Sequence, residues 1–322
     1  MVNLGFTLSS EEFGPRDLVR FAARAEEAGF GYALISDHFH PWMDEQGHSP
    51  FVWVVVGAIA QATKKMRLGT GVTCPIIRIH PALVAQAAAT AADAMPGRFF
   101  LGVGTGECLN EHITGKRWPP YSERQDMLKE AVSLIRELWQ GELVTRKGTH
   151  FTVENARIYT LPEELPPIYV AAAGPDSAAA AAEIGDGLIS TSPDKEVIEQ
   201  FEEAGGNSKP RFGQMTVCWA RDEKKARETA MKYWPTGAIP GTVKMELALP
   251  SQIESAAKLV REEDIVKDIV CGPDPQAHLK EIKKYTDAGF DHVYIHQVGP
   301  QQEECIEFYR KEIFPALGRK AA

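Results

Sequence analysis

The chain has 322 residues, of which 44% are apolar and 25% charged, the composition of a soluble globular protein. Its net charge of −9 and lack of a basic run speak against nucleic-acid binding, and its longest apolar stretch, residues 51–60, falls short of the roughly 18 residues of a membrane span. The N-terminus carries no secretory pattern. Five cysteines, Cys74, Cys108, Cys218, Cys271 and Cys305, form no CxxC pair, so a reduced cytoplasmic protein without a disulfide framework or zinc site is expected.

Strand-like and helix-like patterns alternate along the chain. A strand over 3–8 leads to a helix over 15–28, whose Leu18, Phe21, Ala22 and Ala25 share one face, with Gly29 at the C-cap position. The pairing repeats at 32–36 with 51–63, at 66–72 with 81–95 and at 98–104 with 122–140. A small hairpin is expected from 148–153 and 157–160. Strands at 168–172, 187–191 and 212–220 follow, with helices at 177–184, 195–204 and 222–233. Residues 234–270 insert one helix at 251–262. A helix at 275–288 then leads to the eighth strand, 292–298, and the closing helix, 304–317. Eight units imply an α/β chain folded as a (β/α)8 barrel, one domain over 1–322 with insertions near 141–165 and 234–270. The rival is an open doubly wound sheet. The segments AEEAGFGYALISDH and YTDAGFDHVYIHQV echo one another as helix–AGF–strand units.

In such a barrel the chemistry sits at the C-terminal ends of the strands. The second strand ends in ISDHFHPW, which brings Asp37, His38, His40 and Trp42 together. A histidine there can act as acid or base, and the indole can form a flat wall; the alternative is a capped turn with loop histidines. His38 and His40 also have the HxH spacing of metal-dependent barrel hydrolases. The fifth and sixth strands supply no further histidine ligands, so no metal is expected. The third strand ends in GTGVTCP, where Gly69 and Gly71 point to a bulge or a close backbone approach to a ligand. The fourth ends in LGVGTGECLNE. Glu107 is there either an acid/base partner of His38 or a charge favouring a helix N-terminus. The fifth ends in AAAGPDS, a helix start that suits a phosphate or a plain N-cap serine.

The blocks SDHFHPW, GTGVTCPIIRIHPALVAQAAAT, PGRFFLGVGTGECLNE and AAAGP together resemble the luciferase-like superfamily. Within it they are similar to the dehydrogenases that use the deazaflavin coenzyme F420, both the glucose-6-phosphate and the secondary alcohol type. The resemblance implies an F420-dependent oxidoreductase, with FMN as the alternative coenzyme, acting on a sugar 6-phosphate or another small alcohol, and a homodimer. It implies that His38, Trp42 and Glu107 are catalytic. Asp37, Gly71, Val72, Cys74, Thr105, Gly106, Asn110, Ala173, Gly174 and Ser177 would hold the coenzyme, with Gly71–Val72 at the family's non-proline cis peptide. Thr191, Lys195, Lys244 and Lys267 would hold a substrate phosphate, although Asp194 stands where such members have a lysine. Trp234, Ile239 and Val243 are candidates for an apolar pocket wall.

Overall fold

The structure, a computed structural model, describes residues 2–318; residues 1 and 319–322 of the expected domain lie outside it. Eight parallel strands, Asn3–Leu8, Tyr32–Ile35, Arg67–Thr70, Phe99–Val103, Ile168–Ala171, Gly187–Ser190, Arg211–Cys218 and His292–Gln297, pair in chain order. The last closes on the first, with Asn3 opposite His292 and Phe6 opposite Ile295, so the sheet is a barrel and not an open doubly wound sheet. A two-residue strand, Val270–Cys271, pairs in parallel with the end of the seventh strand at Val217 and Cys218.

The strands are buried on both faces, as a parallel sheet wrapped in helices requires. In the second strand Ala33 and Ile35 pack outward under the helices while Tyr32 and Leu34 point inward; in the fourth, Phe99 and Leu101 face out and Phe100 in. The inward set, Tyr32, Leu34, Phe100, Tyr169, Ile189, Phe212 and Tyr294, plugs the barrel interior. Gly69 exists for this plug: a Cβ there would lie 1.9 Å from the Phe100 ring. Its presence in the strand is thus explained by an aromatic neighbour and not by a ligand.

The surrounding helices follow their sequence signals. Pro15–Ala28 begins with proline at its first position and buries Leu18, Phe21, Ala22, Ala25 and Ala28 along one stripe. It ends at Gly29, whose φ of 101° only glycine adopts without strain. No helix among the described residues is long and apolar enough to cross a membrane.

Two irregular segments differ from expectation. The hairpin is Val144–Lys147 with Thr152–Ala156, earlier than anticipated. Its turn is held by the Glu130 carboxylate, which accepts from the backbone N–H groups of Thr149, His150 and Phe151. The single helix expected at 251–262 is two, Pro250–Ala257 and Glu262–Ile265, preceded by short helical turns at Pro235–Ala238 and Gly241–Lys244. Ile239 and Ile253 anchor this insertion on Trp42 and Leu109, above the C-terminal mouth of the barrel.

Candidate active site

The barrel mouth opens into a cavity of about 710 Å³, in the usual range for small-molecule sites. One wall is built from strand ends with little or no side chain: Gly71, Gly104, Gly106, Ala171, Ala172 and Ala173. The peptide between Gly71 and Val72 is cis, at the position the resemblance implied.

His38 stands at the floor. Its Nε2 lies 3.3 Å from Glu11 Oε1 and 3.4 Å from Glu107 Oε1, while its Nδ1 faces the His40 carbonyl oxygen at 3.3 Å. The His38 ring packs edge-on against Trp42, with centroids 5.0 Å apart. Glu11 is the partner that sequence reasoning missed. It follows the first strand in the run SSEE, a strand end that carries as much polar chemistry as those singled out. Burial alone would push the Glu11 carboxyl up; His38 and then the Ser36 hydroxyl, which donates to Oε2 at 2.6 Å, outweigh it and hold it below the usual range. His40 turns aside, with Nδ1 2.9 Å from the Leu109 carbonyl oxygen.

Several expected coenzyme contacts sit behind the wall instead of on it. Asp37 accepts from Thr73 Oγ1 at 2.7 Å and from Arg78 Nη2 at 2.9 Å, and the same guanidinium reaches Glu111. Burial pushes Glu111 up to about 7 despite Arg78. Asn110 Oδ1 accepts from the N–H groups of Phe39 at 2.7 Å and His40 at 2.8 Å, and its amide nitrogen donates to Glu107. Asn110 therefore fixes the His38 loop and Glu107 at once. Cys74 is buried beneath Gly106, where an added Cβ would meet its Sγ at 2.6 Å, so Gly106 and not the thiol faces the cavity. Gly174 likewise stays off the lining. Thr105, Gly106, Ala173 and Ser177 are on it; Ser177 Oγ accepts from the N–H groups of Ala173 and Gly174 at 3.0 Å.

The expected phosphate ligands divide. Thr191, Lys244 and Lys267 line the cavity. Lys195 does not: its side chain is 71% exposed and pairs with Glu199 one helical turn on, because Asp194 caps that helix and turns Lys195 outward. Lys267 is paired with Asp264 at 3.0 Å. Lys284 was not anticipated; it lines the cavity beside Glu281, 2.6 Å away. Lys244 is different. Burial pulls its ammonium below the usual lysine range, Glu107 opposes this, and its Nζ donates to the Thr236 carbonyl oxygen at 3.3 Å. Trp234 and Ile239 form apolar lining, whereas Val243 is half exposed and off the wall.

An imidazole whose Nε2 lies between two carboxylates, beside a bare wall that admits a flat ring, suits proton transfer coupled to chemistry on a planar coenzyme. The model of the luciferase-like monooxygenase family matches residues 2–292. The chain belongs to this family. It is 37% identical to an F420-dependent glucose-6-phosphate dehydrogenase of Microbacterium testaceum, over 100% of this chain and 99% of that one. It is 38% identical to the enzyme of the same name from Nocardia farcinica, over 98% of each. Among solved structures it superposes with a TM-score of 0.92 on an F420-dependent secondary alcohol dehydrogenase in complex with an F420–acetone adduct, at 33% identity over 98% of this chain and 99% of that one.

Proposed function

We propose that the chain is a coenzyme F420-dependent oxidoreductase that oxidises a CH–OH group, with a sugar 6-phosphate as substrate. The observation that carries this reading is His38 Nε2 placed between Glu11 and Glu107 on the floor of a cavity with one glycine- and alanine-built wall. The full-length relatives named above support it.

The residues present fit the coenzyme. Gly71, Val72, Gly104 and Gly106 leave a flat face for the ring. Ala173 and Ser177, at the start of the helix Pro175–Ile184, offer the positive end of its dipole to a phosphate. When bound, F420 supplies acceptance of a hydride at its C5. His38, with its hydrogen on Nδ1 toward the His40 carbonyl oxygen, takes the proton of the substrate hydroxyl at Nε2, where Glu11 and Glu107 stabilise the cation formed. Glu107, on the cavity side and tied to Asn110, carries the second proton position. Trp42 and Trp234 exclude water, and Lys244 supplies positive charge for the phosphate.

The test is F420 reduction, followed as loss of its visible absorbance, with glucose 6-phosphate and isopropanol side by side. The proposal expects reduction by the sugar phosphate. Failure of F420 to bind, with FMN binding instead, would move the protein to the flavin-dependent reading. A second substrate reading, a secondary alcohol, is favoured by the pairing of Lys267 with Asp264, the outward Lys195 and the apolar Trp234 and Ile239; reduction by isopropanol alone selects it. We further infer a single-domain homodimer acting in the cytoplasm. The free state of all five cysteines is in keeping with the compartment, and light scattering on the purified protein checks the dimer.

A further inference from the structure

Behind Glu11, away from the cavity, lies a second carboxyl that the proposed chemistry does not use. Glu12 is almost fully buried. Its Oε2 accepts from the backbone N–H of Gly299 at 2.8 Å. Its Oε1 lies 3.4 Å from Ser9 Oγ and 4.0 Å from His296 Nε2. Ser9 Oγ is at the same time 3.1 Å from Glu11 Oε2. A hydroxyl carries one hydrogen and can donate to only one of the two carboxylates. If that hydrogen goes to Glu11, the contact with Glu12 needs a proton on Glu12.

The surroundings place the proton on Glu12 and not on Glu11. Glu11 has His38 and the Ser36 hydroxyl to hold its charge. The titratable groups facing Glu12 are Glu11 on its own loop, His296 on the eighth strand and Cys218 on the seventh. None is a cation: burial pulls His296 down to about 4, and burial pushes the Cys218 thiol far up. Among the described residues no lysine or arginine lies within 4 Å of Glu12. Burial, with the negative Glu11 adding to it and Gly299 opposing, pushes Glu12 up to about 8.

We propose that Glu12 is a positioning residue: as a neutral acid it donates to Ser9, Ser9 donates to Glu11, and this chain fixes Glu11 on His38. It rests on His38 being the base of the proposed reaction. When Glu12 ionises, the Ser9 hydrogen has two anionic acceptors, and Glu11 keeps Ser36 as its one undivided hydroxyl donor. The enzyme then has an alkaline limit set by a residue outside the cavity.

The experiment has two arms. In the first, infrared spectra of the protein alone are titrated for wild type and Glu12→Gln. The wild-type minus variant difference should show a protonated-carboxyl C=O band that disappears as pH rises through about 8. Subtraction removes the contribution of Glu111, which titrates nearby. In the second arm, kcat/KM is measured against pH. Wild type should lose activity on the alkaline side with the same midpoint. Glu12→Gln, whose amide still donates to Ser9, should move that limb upward by about a pH unit or more, or abolish it. Ser9→Ala should keep the band and lower kcat/KM several-fold at all pH values, and it serves as the second variant where Glu12→Gln folds poorly. Absence of the band in wild type, or an unchanged alkaline limb in Glu12→Gln, overturns the proposal. The infrared arm needs neither coenzyme nor substrate, so its failure is distinct from failure of the functional reading, which F420 reduction decides.

Discussion

Lys244 holds its ammonium 4.9 Å from the centroid of the Trp42 indole, so the charge that faces the cavity is propped on one of the proposed catalytic side chains. Such a contact contributes about 0.5–2 kcal/mol. It does not offset what burial costs the ammonium, whose protonation is disfavoured in the native state. The sign follows: a lysine with a depressed native pKa destabilises the fold at pH values where the unfolded chain holds the proton more readily. Lys244→Met is therefore expected to raise Tm at neutral pH. It should also raise KM for a sugar phosphate about tenfold or more, the equivalent of 1.4 kcal/mol, with little change for an uncharged alcohol. Equal effects on both substrates would remove Lys244 from phosphate binding.

Asn110 ties two parts of the site together. Its Oδ1 accepts two backbone N–H groups of the loop after His38, and its amide nitrogen donates to Glu107. Asn110→Ala leaves two partly buried donors unpaired, at up to about 1–3 kcal/mol each. A loop displaced by even 1 Å costs about a hundredfold in rate. The expected result is a lower Tm and a kcat reduced by about 10- to 100-fold. Coenzyme affinity should fall much less, because Asn110 does not line the cavity. Titration of F420 fluorescence separates the two; loss of affinity as large as loss of kcat would make Asn110 a coenzyme ligand after all.

The barrel was legible because its signals are local and periodic. The stripe Leu18, Phe21, Ala22, Ala25 and the stop at Gly29 define a helix without reference to the rest of the chain. The site was half legible. His38, Trp42 and Glu107 stand at strand ends with clear turn residues around them. Which side chains enter the cavity depends on partners far along the chain: Asp37 is drawn to Arg78, 41 residues on, and Lys195 to Glu199 outside the barrel. Glu11 was missed because the first strand end reads as a surface SSEE run, and only closure of the barrel buries it against Ser36 and His38. The insertion was the least legible part, since its short helical turns are fixed by Ile239 and Ile253 docking on Trp42 and not by their own periodicity.

Arg78 bridges two buried acids, Asp37 at 2.9 Å and Glu111 at 3.4 Å. Burial works against its charge, and the two carboxylates outweigh that and hold it above the usual value. Breaking such a buried pair costs about 3–5 kcal/mol, so Arg78→Ala should unfold at much lower temperature or denaturant concentration. Arg78→Lys should recover only part of this, because one ammonium cannot reproduce the fork that also donates to the Asp37 carbonyl oxygen at 3.0 Å. Thermal melts of the two variants check the order. Equal stability of Arg78→Lys and wild type would show that charge alone is needed.

His278 gives the fold a defined weakness toward acid. It is fully buried, with Nε2 donating to the Gly272 carbonyl oxygen at 3.1 Å and Nδ1 2.9 Å from the Tyr309 hydroxyl. Burial pulls it from 6.5 down to about 4, opposed by the Gly272 bond and Asp274. The native state thus prefers the neutral ring, and the unfolded chain binds the extra proton first. Stability is fully present above 6.5 and is lost as pH falls toward about 4. The loss amounts to about 3 kcal/mol at 1.36 kcal/mol per pH unit. Urea melts at pH values spanning this window should show the midpoint of wild type falling steeply. His278→Gln, which cannot take up a proton, should be less stable than wild type near neutral pH and lose distinctly less on acidification. Parallel pH slopes for the two proteins would show that the acid sensitivity arises elsewhere, with His296, also pulled down to about 4 by burial, the next residue to replace.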